Sequence, residues 1–150
     1  MAEDRIKEAI LTHDAIGVDT MAFIYHLEAN KKYTPFTHTL FEAIETGACR
    51  GVTSTLTLME TLVRPKEIGD TDMRDDYVYA LTTFPNLTMR AVDAAVAEAA
   101  AELRARHRLR PPDAIQVATC IVEGGTAFVT NDERLKKIEN PKIIIMEDYL

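Results

Sequence analysis

Along the chain, short apolar runs of strand length alternate with longer segments in which apolar residues recur at helical spacing. Ala15-Ile16-Gly17-Val18-Asp19 reads as a buried strand, and Thr20 begins a helix with the apolar face Phe23, Ile24 and Leu27. Helical spacing returns in Phe36, Leu40, Phe41 and Ile44, and Gly47 supplies a left-handed cap. Arg50-Gly51-Val52-Thr53 is a second strand, with Ser54 or Thr55 capping the helix of Leu56, Met59, Glu60 and Val63, which Arg64-Pro65 is expected to end. The acidic stretch from Asp70 to Asp76 opens a helix backed by Tyr77, Val78, Leu81 and Phe84.

Asn86-Leu87-Thr88-Met89 is a weaker third strand, and the alanine-rich segment from Ala91 to Arg106 is strongly helical. After Pro111-Pro112, the helix from Asp113 to Glu123 is apolar most of the way round, the pattern of a helix buried in the middle of a fold. Gly124-Gly125 turns into a strand over Thr126 to Thr130, a short helix carries Leu135 and Ile138, and Lys142 to Met146 is a fifth strand. Five strands, with helices following them directly, predict an α/β fold with an open, mainly parallel sheet covered on both faces. Ile6, Ala9 and Ile10 predict a helix within an N-terminal extension over residues 1–14, packed on the outside of a single domain over 1–150.

Composition narrows the function. The chain has 150 residues and a formal net charge of -7, which disfavours coating nucleic acid by bulk positive charge. Its only serine, Ser54, lies outside any G-x-S-x-G turn, and its six glycines form no phosphate-cradling loop. Cys49 and Cys120 lack metal-site or disulfide spacing and read as buried hydrophobes of a reducing, cytoplasmic compartment. No apolar run is long enough for a signal peptide or a membrane span.

Ligands of open parallel sheets sit outside the carboxyl ends of the strands, and four acids fall there. Asp19 ends the first strand, Glu60 lies early in the helix after the second, Asp113 opens the buried helix, and Asp132 follows the fourth strand by two residues. Taken singly, an acid at a helix start is well explained as a cap. Taken together, they leave strongly apolar elements, and no Lys or Arg stands within two residues of Asp19, Glu60 or Asp113. Like charges about 4 Å apart repel by roughly 4 kcal/mol at an effective dielectric of about 20, so such a cluster recruits cations. All-carboxylate ligation favours Mg2+ or Mn2+ over zinc.

The stretches Ile16-Gly17-Val18-Asp19-Thr20, Glu60-Thr61-Leu62-Val63-Arg64-Pro65, Arg110-Pro111-Pro112-Asp113-Ala114-Ile115-Gln116 and Phe128-Val129-Thr130-Asn131-Asp132 resemble, in order and spacing, the PIN-domain ribonucleases, in particular VapC-like toxins of toxin-antitoxin pairs. The resemblance implies a PIN-like three-layer fold and a metal-dependent endoribonuclease. Asp19, Glu60, Asp113 and Asp132 would hold Mg2+ or Mn2+, with Asp19 and Asp113 as principal ligands. Thr20, Thr130 and Asn131 would orient ligands or bound water. It also implies an RNA substrate, a cognate antitoxin and a homodimer. Met21 departs from the pattern, standing where the family often has a small polar residue.

Several other features read as structural. Arg104, Arg106, Arg108 and Arg110 fall on opposite faces of a continuous helix, which favours a solvated helix end over one phosphate-binding patch. His13, His26, His38 and His107 have no partner pattern, and Tyr25, Phe36, Phe41, Tyr77 and Phe84 are spaced like core residues. The rival reading is a non-catalytic interaction module whose acids bind a basic peptide or merely cap helices. A phosphatase with an aspartyl nucleophile would need a second acid two residues after Asp19, where Met21 stands.

Overall fold

A computed structural model describes all residues from Met1 to Leu150. Five strands form one sheet: β1 (Ala15–Val18), β2 (Arg50–Ser54), β3 (Leu87–Arg90), β4 (Ala127–Thr130) and β5 (Lys142–Ile145). The order is β3-β2-β1-β4-β5 and every pairing is parallel, so the sheet is wholly rather than mainly parallel. β1 and β4 are buried along their whole length, the unbroken burial of central strands covered on both faces.

Seven helices cover the sheet: α1 (Ala2–Leu11), α2 (Thr20–Leu27), α3 (Thr34–Glu45), α4 (Thr55–Ile68), α5 (Thr71–Thr83), α6 (Ala94–His107) and α7 (Pro111–Val122). Alternation along the strands assigns the layers. Ile16, Val18, Ala127 and Val129 point into a core with Phe23, Phe36, Leu40, Phe41 and Ile44 of α2 and α3. Phe128 points to the opposite face, against Val117, Ala118 and Cys120 of α7 and Val96 and Leu103 of α6. α1 contributes Ile6 and Ile10, both 0% exposed, to the first core, so the amino-terminal helix packs on the domain through its apolar face.

Two local expectations are corrected. Pro65 does not end α4: the helix runs on to Ile68 and stops at Gly69, whose φ of 70° is the left-handed cap conformation. The proline gives up its own amide bond, while its carbonyl accepts the N–H groups of Gly69 and Asp70 and closes the last turn. The arginine-rich segment is not a continuous helix, because α6 ends at His107 and Arg108 turns left-handed at φ 56°. Arg104 donates to the Leu109 carbonyl, Arg106 pairs with Glu102, and Arg110 is swung out of phase with both.

Gly17 is where β1 meets α7 most closely. A Cβ there would lie 2.7 Å from Cβ and Sγ of Cys120 and from a ring carbon of Phe128. Gly17→Ala is therefore expected to destabilise the fold by about 1–3 kcal/mol through overpacking, read as a lower urea midpoint at unchanged m-value.

Candidate active site

β1 leads rightward through β2 to β3, whereas β4 and β5 lie on its other side, so the strand order reverses between β1 and β4. A crevice necessarily opens beyond the carboxyl ends of these two strands. It is a cleft of about 610 Å³, lined by Asp19, Thr20, Met21, Ile24, Tyr25, Glu60, Arg110, Asp113, Thr130, Asn131, Asp132 and Glu133. The seven residues singled out from the sequence, Asp19, Thr20, Glu60, Asp113, Thr130, Asn131 and Asp132, all lie on its wall.

The four acids differ in how far helix capping explains them. Asp70 and Asp93 act as ordinary caps, each accepting the N–H three residues on. Asp132 is similar, accepting the N–H of Arg134 at 2.9 Å. Asp19 is different: its Oδ1 takes only the adjacent Thr20 N–H, at 2.8 Å, and its Oδ2 accepts the Thr130 hydroxyl at 2.7 Å. That second bond crosses from β1 to β4 and aims the carboxylate at the cleft.

Charge compensation is also uneven. Arg134 clasps both oxygens of Asp132, at 2.9 and 2.7 Å, and holds that carboxyl below the ordinary carboxylate range. Arg110 donates to Asp113 at 3.2 Å across one turn. Asp19 and Glu60 have no basic partner. Burial pushes the Asp19 carboxyl up to about 6; the Thr130 and Thr20 bonds oppose this, and the charges of Glu60 and Asp113 add to it. Arginines thus answer two of the four acids, and Asp19 and Glu60 are left uncompensated. With Asp113 and Asp132 paired to Arg110 and Arg134, no three acid or imidazole side chains group closely enough to hold an ion in this arrangement.

Beneath the acids lies a buried polar network that sequence reasoning missed. Gln116 accepts the Ser54 hydroxyl at 2.9 Å and donates through Nε2 to Thr57 at 2.8 Å and Thr20 at 3.1 Å. Thr53 donates to Thr57 at 2.8 Å, and Thr20 donates to Glu60 at 2.7 Å. Every buried side-chain polar atom is satisfied. Glu60 is therefore positioned by a chain of hydroxyls rooted in α7. The available signal was Gln116 itself, one helical turn after Asp113 in an otherwise apolar helix. Asn131 accepts the Glu147 N–H at 3.0 Å, which anchors the turn after β5 to the cleft.

Fold and site together define a doubly wound parallel α/β protein with an acidic cleft at its topological switch point. Residues 16–141 match the PIN domain, and the chain belongs to that family. Among solved structures, it is similar to a toxin-antitoxin complex from Klebsiella pneumoniae, with 21% identity and a TM-score of 0.65 over 88% of this chain and 97% of that one. It is also similar to VapBC2 from Rickettsia felis bound to a DNA fragment from their promoter, with 15% identity and a TM-score of 0.69 over 87% of this chain and 98% of that one. No curated protein matches its sequence. No helix is long and apolar enough to cross a membrane.

Proposed function

We propose that this PIN-domain protein is a metal-dependent endoribonuclease that hydrolyses RNA phosphodiester bonds, acting as the toxin of a toxin-antitoxin pair. The observation that carries the reading is Asp19: a carboxylate withdrawn from water, aimed into the switch-point cleft beside Glu60 and Asp113, with no cation of its own. An oxygen-only donor set of this kind fits a hard divalent ion, Mg2+ or Mn2+. Asp19 and Asp113 would be its principal ligands, with Glu60 and Asp132 completing the set or positioning water, an arrangement that requires Asp113 and Asp132 to let go of Arg110 and Arg134. Held there, such an ion would lower the pKa of water enough to furnish a hydroxide nucleophile at neutral pH.

The remaining work belongs to the chain. Thr130 fixes Asp19, and Thr20 fixes Glu60 through the hydroxyl network. Arg110 and Arg134, more than half exposed, hold Asp113 and Asp132 and offer planar guanidinium groups to the phosphates of an incoming strand. The likeness to structures of toxin-antitoxin complexes supports a cognate antitoxin as partner, and a homodimer completes the proposal.

A second reading has one observation in its favour. Because arginines already neutralise half of the acids and no three acids group to hold an ion, the cleft also suits a non-catalytic module, in which Asp19 and Glu60 are left to receive a basic peptide. Incubation of purified protein with RNA separates the two. Cleavage that requires Mg2+ or Mn2+, is abolished by EDTA, and is lost in Asp113→Asn is the expected result; cleavage unaffected by EDTA and by that substitution would remove the metal-dependent mechanism.

A further inference from the structure

The arginines at the cleft are attached in a way that lets them leave. Arg110 and Arg134 keep 62% and 63% of their side-chain surface exposed, and each has one acid as its only side-chain partner. Arg110 reaches Asp113 through Nε at 3.2 Å, and Arg134 reaches Asp132 through Nε and a terminal nitrogen at 2.9 and 2.7 Å. Exposed pairs of this kind are weakly held. The arginines that brace α7 against β2 and β3 are of another sort. Arg90, 25% exposed, bridges Glu123 and Asp93, while Arg50 donates to both the carboxylate and the backbone carbonyl of Glu123.

The deeper acids of the cleft are held differently again. Asp19 and Glu60 are aimed by the hydroxyls of Thr130 and Thr20 and have no arginine. Glu133, the remaining acid on the wall, is taken by Lys136 at 3.0 Å. The two arginine pairs also act as one group: the Arg110 charge helps to keep the Asp132 carboxyl low, and the Asp113 charge helps to raise the Arg134 guanidinium. Four carboxylates with two guanidinium groups leave two formal negative charges uncompensated. One divalent ion carries the same charge as the two arginines together, so exchanging them for it leaves that sum unchanged and sets two cations free. Arg110 stands three residues before Asp113 and Arg134 two residues after Asp132, so each arm stays at the rim when it lets go.

We propose that Arg110 and Arg134 are exchangeable counter-cations: they hold Asp113 and Asp132 until a divalent ion takes those carboxylates, and the freed guanidinium groups then receive phosphates of the RNA strand. Both are positioning residues that set how tightly the ion binds and link its binding to that of RNA. The inference rests on the metal-dependent ribonuclease reading. Linkage makes the effect reciprocal, so ion and RNA each raise the affinity for the other.

The exchange can be read without turnover, by nuclear magnetic resonance of isotopically labelled wild type. In the metal-free protein the Nε–H groups of Arg110 and Arg134 are bonded to acids, whereas that of Arg104 is bonded to the Leu109 carbonyl. Titration with Mg2+ should shift the Arg110 and Arg134 resonances and speed their exchange with water, leaving Arg104 in place. Calorimetric titration with Mn2+, at low salt and without RNA, should give a dissociation constant at least about three-fold tighter for the double variant Arg110→Gln, Arg134→Gln than for wild type, because two competing ion pairs are gone. Its KM for RNA at saturating Mn2+ should instead rise at least about three-fold, since the freed cations are missing. A merely structural role would weaken both. Lys136→Gln removes a neighbouring charge but leaves both arginine pairs intact, and should bind Mn2+ within about two-fold of wild type. Thermal melts check that the variants fold. Ion binding to wild type with unmoved Arg110 and Arg134 resonances, a double variant with unchanged or weaker ion affinity or an unchanged KM, or a Lys136→Gln protein that gains as much as the double variant would overturn this inference alone. A wild type that binds no ion or cleaves no RNA would overturn the metal-dependent ribonuclease reading, and this inference with it.

Discussion

Asp19→Asn is expected to lower RNA cleavage by more than about a hundred-fold, beyond the roughly 10–100-fold cost of disturbing a supporting partner, while raising the melting temperature of the metal-free protein at neutral pH. Both effects have one cause. Burial and the nearby charges of Glu60 and Asp113 push this carboxyl up to about 6, from an ordinary value of 3.8. The folded state therefore binds a proton more tightly than the unfolded chain, and stability falls as pH rises from about 4 through about 6. The loss at neutral pH is at most about 3 kcal/mol, because each tenfold gain in proton affinity on folding is worth about 1.4 kcal/mol.

Asparagine removes the charge and keeps an oxygen for the Thr20 N–H. Its expected gain is up to roughly 6–12 °C, at about 2–4 °C per kcal/mol for a domain of this size. The wild type should recover the same stability when acidified toward pH 4, or on addition of Mn2+ at pH 7.5, whereas Asp19→Asn should respond weakly to either. A wild-type melting temperature that rises steadily between pH 4 and 7 in EDTA would contradict the assignment.

The second large effect is expected at Gln116. Gln116→Met preserves the volume of this buried side chain but removes the acceptor of the Ser54 hydroxyl and the donor to Thr57 and Thr20. The Ser54 hydroxyl is the one left with no acceptor, because Thr57 keeps its bond from Thr53 and Thr20 its bond to Glu60, so a loss of about 1–3 kcal/mol is expected in urea unfolding. Activity should fall as well, because Thr20 no longer has a fixed orientation toward Glu60. Thr57→Val, which severs the network from the other side, should be less damaging singly and non-additive with Gln116→Met, since the two residues are in direct contact. Additive losses would show that Gln116 and Thr57 stabilise the fold independently.

The contrast between what was legible in the sequence and what was not follows from the range of the interactions involved. The five strands and the four acids could be read because burial on both sheet faces writes apolar runs, and because the switch-point rule converts a position after a strand into a position at the cleft. The arginine partners were harder to foresee. Arg110 and Asp113 share a turn only because Arg108 goes left-handed and breaks the phase of α6, a conformation that no periodicity records. Gln116 was hidden by the opposite effect: one amide in an apolar helix gains meaning only when Ser54, Thr57 and Thr20 arrive from elements far away in the chain. Tyr25, whose helical spacing is that of a core residue, packs at the edge of the core and also lines the cleft, a double place that spacing alone does not record.

The tight seat of α7 against β1 gives the protein a built-in clock. Cys120, pressed on Gly17 and donating to the Ala127 carbonyl, has its thiol pushed up to about 12 by burial, so in the closed fold it is inert to alkylation. It reacts only when α7 lifts from the sheet, and α7 also bears Asp113 and Gln116. The rate at which a thiol reagent consumes Cys120 therefore measures how often the cleft comes apart, in solution and without any substrate.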